Sequence, residues 1–254
     1  MVQALVFTLA APLASFGAVA VGERRTTWDR PSKSQVIGLL ASACGIERAD
    51  ETRQSEITKG LALAIRVDDP GHLSTDYHTT QVPPHKRNRT FATRAEELGV
   101  DKHELKTILS RREFRIGGRY TLAVWYKPER ADMLERFRSK LLQPEFILFA
   151  GRKAFPLMLP THPQIVVLDD GVEAAFASYD DTLGDDIRSM IASVTAHRRH
   201  RPQIFVDVDA VPGSQLVDRI EERRDVPESR SKWRFGLRSE ALLRQSRTSE
   251  ETRS

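Results

Sequence analysis

The chain has 254 residues, 40% of them hydrophobic, and 39 Lys and Arg against 35 Asp and Glu give it a net charge of +4. That length can bury the core of one large or two small domains, that hydrophobicity argues against wholesale disorder, and no apolar run reaches the length of a membrane-spanning helix. A sequence pI of about 9.3 raises the prospect of a nucleic-acid partner, while a single cysteine, Cys44, excludes an internal disulfide or multi-cysteine zinc site and points to a reducing cytoplasm.

Residues 2–10 read as a first strand, with Leu5, Phe7 and Leu9 on one face and Val6 and Thr8 on the other. No basic leader precedes it, so the segment reads as strand and turn and not as a signal peptide. Pro12 and Gly17 are expected to break it. A loop over 21–31 holds Arg24, Arg25 and Arg30. A helix then starts at Ser32 or Ser34, either of which suits an N-cap; Val36, Ile37, Leu39, Leu40, Ala43 and Cys44 are its apolar positions and Gly45 stops it. Residues 61–68 alternate as a second strand, with Leu61, Leu63, Ile65 and Val67 together.

Between 70 and 118 the periodicity weakens. Pro83, Pro84 and the cluster Lys86, Arg87 and Arg89 mark an excursion from the core, and a short helix is expected over 102–109 behind an Asp101–Glu104 capping box. Tyr120, Leu122, Val124 and Tyr126 share a face of a third strand over 119–126; a helix from Pro128 to Leu142 carries the stripe Met133, Leu134, Phe137 and Leu141; a fourth strand falls at 146–149. Further on, strands are expected at 164–168 and 203–207, a helix at 172–179, and a solvated acidic loop around Asp180, Asp181, Asp185 and Asp186.

With the insertion set aside, the order is strand, helix, strand, strand, helix, strand, the split βαβ or ferredoxin-like arrangement. The RNA-recognition motif shares it, and there an open sheet face meets single-stranded RNA. The expected class is therefore α+β: a ferredoxin-like (RRM-like) domain over 1–160 with an inserted thumb at 70–118, a smaller irregular β-containing C-terminal region over 161–227, and a charged, mobile tail over 228–254 anchored at Trp233 and Phe235.

Four constellations could carry chemistry. Gly22, Arg24, Arg25, Arg30, Ser32, Lys33 and Ser34 place basic side chains at a helix start, where unpaired N–H groups favour an anion; an ordinary capped helix with solvated arginines would look the same. The insertion 72–118 holds nine Lys and Arg, six Asp and Glu and four His, and reads either as a basic arm for RNA backbone or as a solvated loop. In Asp76-Tyr77-His78-Thr79, Tyr77 and His78 with Lys86 could support metal-independent RNA cleavage, a base taking the 2′-hydroxyl proton and a cation steadying the phosphorane; a capped turn is the plainer reading. His197-Arg198-Arg199-His200-Arg201 reads as a basic surface loop. No metal or cofactor is expected.

The motifs together are more specific. Leu9-Ala10-Ala11-Pro12-Leu13-Ala14-Ser15-Phe16-Gly17 resembles the "LxGPMQxWG" signature of CRISPR-associated protein family five, the family of the type I-E Cascade CasD subunit. The run from Arg30-Pro31-Ser32-Lys33-Ser34 through Cys44-Gly45-Ile46 resembles its "PTRSGLLGLLGACLGI" helix, Asp76-Tyr77-His78-Thr79 its "DYHT", and Gly151-Arg152-Lys153 with Phe155-Pro156-Leu157 its "GRRSCPL". Departures are Phe16 for Trp, Ser32 for Thr, Gln35 for Gly, and Gly117-Gly118-Arg119-Tyr120 for "DAxF". The resemblance implies a non-catalytic Cascade subunit that binds and caps the 5′ handle of crRNA beneath a thumb, contacts the backbone subunit and the large PAM-reading subunit, meets target DNA only through the complex, and touches no membrane. Expected RNA contacts are Arg24, Arg25, Lys33, Ser34, His78, Lys86, Arg87, Arg89, Arg111 and Arg112. The alternative is a metal-independent endoribonuclease of CRISPR precursor RNA, as in a type I-C relative, using His78, Tyr77 and Lys86.

Overall fold

Strict alternation on the innermost strands places apolar side chains on both faces of one sheet. The structure, a computed structural model, describes residues 1–17, 22–85, 90–194, 201–210 and 216–244. Among them lie nine strands in one sheet: β1 (Gln3–Ala14), β2 (Arg24–Arg25), β3 (Leu61–Asp69), β4 (His72–Val82), β5 (Lys106–Tyr126), β6 (Gln164–Val167), β7 (Gln203–Asp207), β8 (Val217–Ser229) and β9 (Arg234–Leu243). The helices are α1 (Lys33–Ala43), α2 (Glu51–Thr58), α3 (Arg94–Leu98), α4 (Ala131–Leu142), α5 (Val172–Asp181) and α6 (Asp185–Val194). The main path runs β6-β1-β5-β3-β7-β9-β8, with β2 and β4 both joined to β5.

Leu5, Phe7 and Leu9 of β1, Leu61, Leu63, Ile65 and Val67 of β3, and Tyr120, Leu122, Val124 and Tyr126 of β5 face Val36, Ile37 and Leu40 of α1 and Met133, Leu134, Phe137 and Leu141 of α4. The opposite face carries small residues, Ala4, Ala62, Ala64 and Ala123, beside Trp125, and α5 covers it with Val172, Ala175, Phe176 and Tyr179. An open RNA-binding sheet face, as in the RNA-recognition motif, is therefore not what this molecule offers over its central strands: small side chains there let a helix pack close.

Several expected boundaries shift. β1 runs on through Pro12; β6 pairs only with Gln3 to Val6, so no neighbour needs an N–H from Pro12 on that edge. Residues 146–149 form no strand: Ile147 is 81% exposed, and the place beside β1 belongs to β6. Instead of a helix over 102–109 there is a 3-10 turn at Lys102–Glu104, after which β5 begins. Asp185 and Asp186 lie not in a loop but in the first turn of α6, where carboxylates suit the positive helix end. Within the tail expected from 228, residues 228–244 are structured: β9 pairs with both β7 and β8 and buries Ala241, Leu242 and Leu243. The sheet thus runs without a break through the divisions expected at 160 and 227.

The insertion becomes a ribbon. β3 pairs with β5 from Leu61 opposite Tyr126 to Asp69 opposite Arg119, and β4 takes over from His72 opposite Ile116 to Val82 opposite Lys106. Gly71 makes the junction at φ +69°, where a Cβ would lie 2.6 Å from the Ile116 carbonyl oxygen. At strand rise, β4 extends about 35 Å from that point.

Candidate nucleic-acid interface

Two distant arginine pairs meet at the root of the ribbon. β2 pairs in parallel with β5, Arg24 beside Arg111 and Arg25 beside Arg112. The Arg111 N–H donates to the Glu23 carbonyl at 3.0 Å, and the Thr27 N–H donates to Glu113 Oε2 at 3.2 Å. Behind β2 the loop is tied to β1: the Phe16 N–H donates to Thr27 Oγ1 at 2.8 Å and the Trp28 N–H to the Phe16 carbonyl at 2.8 Å. The loop arginines are thereby fixed as an added edge of the ribbon.

Strand pairing sorts the side chains by face. Tyr77 stands opposite Arg111, with Arg24 beyond it; Asp76 stands opposite Arg112, with Arg25 beyond. Neighbours across strands share a face and successive residues alternate. One face therefore shows Tyr77, 55% exposed, with Arg111 and Arg24, and the other shows Asp76, His78, Arg112 and Arg25. Arg24 reaches Glu113 at 3.8 Å. Among the described residues no carboxylate makes an ion pair with Arg25, Arg111 or Arg112. An aromatic ring flanked by guanidiniums suits a base and its phosphates.

The helix start behaves differently. Ser32 is the N-cap and forms a reciprocal capping box with Gln35. The Lys33 N–H donates to Asp225 Oδ2 at 2.9 Å, and the Lys33 ammonium pairs with Asp207 Oδ2 at 2.7 Å. The anion that the helix end attracts is thus the protein's own Asp225, delivered by β8. Ser34 bonds to the Ser32 hydroxyl at 2.9 Å, and its carbonyl accepts from Arg230. Arg30, 2% exposed, donates to Glu240 and Glu221, pairs with Asp29 and stacks on Phe205 with Cζ 3.5 Å from the ring centre. Arg238 bridges Asp207, Asp225 and Glu240 at 2.7 Å each. Burial opposes the ionised form of Glu240, but the guanidiniums of Arg238, Arg223 and Arg30 outweigh it and hold its pKa at about 2. Lys33 and Arg30 are therefore parts of a buried ion network, and the backbone contact expected of Lys33 gives way to a structural role.

The cleavage trio is not assembled by what is described. His78 Nε2 sits 2.5 Å from Asp76 Oδ2, on its own face of β4. Tyr77, the adjacent residue, points to the other face by alternation. Lys86, Arg87 and Arg89 lie outside the described residues, as do His197, Arg198, Arg199 and His200. Among the described residues no group of three or more His, Cys, Asp and Glu is placed to hold a metal, and no helix is long and apolar enough to cross a membrane.

Sequence reasoning assigned no role to Arg152, although the motif containing it was visible. The structure sets it beside Arg112: its terminal nitrogen donates to the Glu113 carbonyl at 3.1 Å, and its guanidinium lies 5.4 Å from the Phe155 ring centre.

Residues 4–239 match the family described as CRISPR-associated protein (Cas_Cas5). Over 203 residues the chain is 28% identical to the CRISPR system Cascade subunit CasD of Escherichia coli (strain K12), the match covering 76% of this chain and 83% of that one. A solved chain from a CRISPR RNA-guided surveillance complex superposes with a TM-score of 0.60 at 24% identity, over 94% of this chain and 90% of the other. A crystal structure of a Cas protein superposes with a TM-score of 0.55 at 24% identity, over 94% and 95%. These two structures share the fold of this chain.

Proposed function

Since this chain belongs to the CRISPR-associated Cas5 family, we propose that it is a non-catalytic, CasD-like Cascade subunit that binds and caps the 5′ handle of crRNA. The strand order β6-β1-β5-β3, with helices after β1 and β5, supports reading the core as ferredoxin-like. The ribbon of β4 and β5 is then the thumb, and its root the RNA site. The observation that carries this reading is the pairing of Arg24 and Arg25 with Arg111 and Arg112 beside the exposed Tyr77. Such a patch costs the free protein electrostatic repulsion, and a polyanion relieves it. Unpaired handle bases can splay, stack on Tyr77 and hydrogen-bond.

Backbone and large subunits would meet other surfaces, and target DNA would be reached only through the complex. Leu142, Phe146 and Ile147, all exposed at the end of α4, offer apolar area for a neighbouring protein. The test is a salt titration of repeat-RNA affinity. If Arg24, Arg25, Arg111 and Arg112 each neutralise one phosphate, the log–log slope is about −3. Replacing Arg111 and Arg112 with Gln should flatten it to about half that. A wild-type slope near zero would sink the reading.

A further inference from the structure

The second face of the ribbon carries two cations, Arg112 and Arg152, that make no ion pair among the described residues. Arg152 stands on a loop folded back on itself: the Ala150 N–H donates to the Phe155 carbonyl at 2.8 Å, the Phe155 N–H to the Arg152 carbonyl at 2.9 Å, and the Ser15 N–H to the Ala150 carbonyl at 3.0 Å. The Phe155 ring beneath it packs on Phe114 of β5 with centroids 6.1 Å apart. Phe114 shares the face of Arg112, since the two lie two residues apart on one strand. The Arg152 guanidinium is thus held in place by one carbonyl and one ring, and its other N–H donors have no partner among the described residues. Among the described residues no carboxylate forms an ion pair with either Arg152 or Arg112; Asp76 lies against His78 and acts on Arg152 only through space. Burial first, and then the Arg112 charge, disfavour the charged form of Arg152 and lower its pKa, the opposing attraction of Asp76 being smaller.

We propose that Arg152 and Arg112 together clamp one backbone phosphate of the bound RNA, Arg152 being the preorganised partner and Arg25 lying next along the same face. The inference rests on the RNA-binding reading above and adds to it a single-phosphate site built by the 150–156 loop. A phosphate between two guanidiniums replaces their repulsion with charge-assisted, geometrically matched hydrogen bonds. Because Arg152 is immobilised before binding, little side-chain entropy is lost on capture.

The experiment is methylphosphonate scanning: repeat RNAs with one backbone position neutralised at a time are titrated against the full chain. For the wild type, neutralising one particular position should weaken binding roughly tenfold or more, the size of one charge-assisted hydrogen bond. Arg152→Gln and Arg112→Gln should each bind unmodified RNA correspondingly more weakly and lose sensitivity at that position while keeping it elsewhere. Arg152→Lys should recover part of the effect, and melting curves should show every variant folded. If Arg152→Gln keeps the wild-type profile, the clamp is refuted and RNA binding stands. If the wild type does not bind RNA, the function reading itself fails and the clamp falls with it.

Discussion

Gly151 occupies a position with no room for a methyl group. Its φ is +89°, and a Cβ there would lie 1.9 Å from the Ser15 carbonyl oxygen at the end of β1. Gly151→Ala should lower stability by roughly 2–4 kcal/mol, from combined left-handed strain and backbone overlap; an unchanged urea midpoint would contradict this. The glycine was legible as part of a motif, but its reason was not, since Ser15 lies far away in sequence. The same holds for the cations. Arg24, Arg25 and Lys33 look equivalent in sequence, yet Lys33 is spent on Asp207 and takes the Asp225 carboxylate at its N–H, both from beyond residue 200. Lys33→Ala should therefore destabilise the fold by about 1–3 kcal/mol with little change in RNA affinity per folded molecule. Arg111→Glu should do the reverse; filter binding and thermal melting on both variants separate the two roles.

The hairpin of β8 and β9 shows why an element can be hidden. Residues 217–227 read as part of an irregular region and those from 228 as a charged tail, because several inner positions are filled by ion pairs in place of apolar side chains. Arg223, Asp225 and Glu240 are all buried there. The upper parts of β4 and β5 escaped for a different reason: both faces are solvated, so no hydrophobic alternation marks them. β1, β3, the inner half of β5, α1 and α4 were readable because each buries one or both faces. The network gives the hairpin a pH signature. The folded pKa of Glu240, about 2, lies below its ordinary value of 4.5. Its contribution is fully present above pH 4.5 and is lost as pH falls toward 2. Stability should thus decline across that window, and Glu240→Gln should make the decline shallower while costing roughly 3–5 kcal/mol at neutral pH, because buried guanidiniums lose their partner. Equal pH slopes for the two proteins would contradict the assignment.

Across the whole molecule, one sheet is sheathed by α1 and α4 on one side and by α5 on the other, which leaves function to its projecting edge. A mixed fold of helices on an antiparallel sheet followed from periodicity, whereas the proposed site required two segments with no shared local pattern to meet on a ribbon. What the sequence could offer was the resemblance of its motifs, and Gly151-Arg152-Lys153 belonged to them. The proposed binding platform needs no assembled trio of catalytic groups, and Tyr77 and His78 lie on opposed faces of β4. The most direct measurement is to incubate the purified chain with end-labelled CRISPR repeat RNA in EDTA and run native and denaturing gels. The account predicts a shifted band with the RNA intact, and a weaker shift for Arg111→Glu. An unshifted RNA, or a single cut that disappears in His78→Ala, would contradict it.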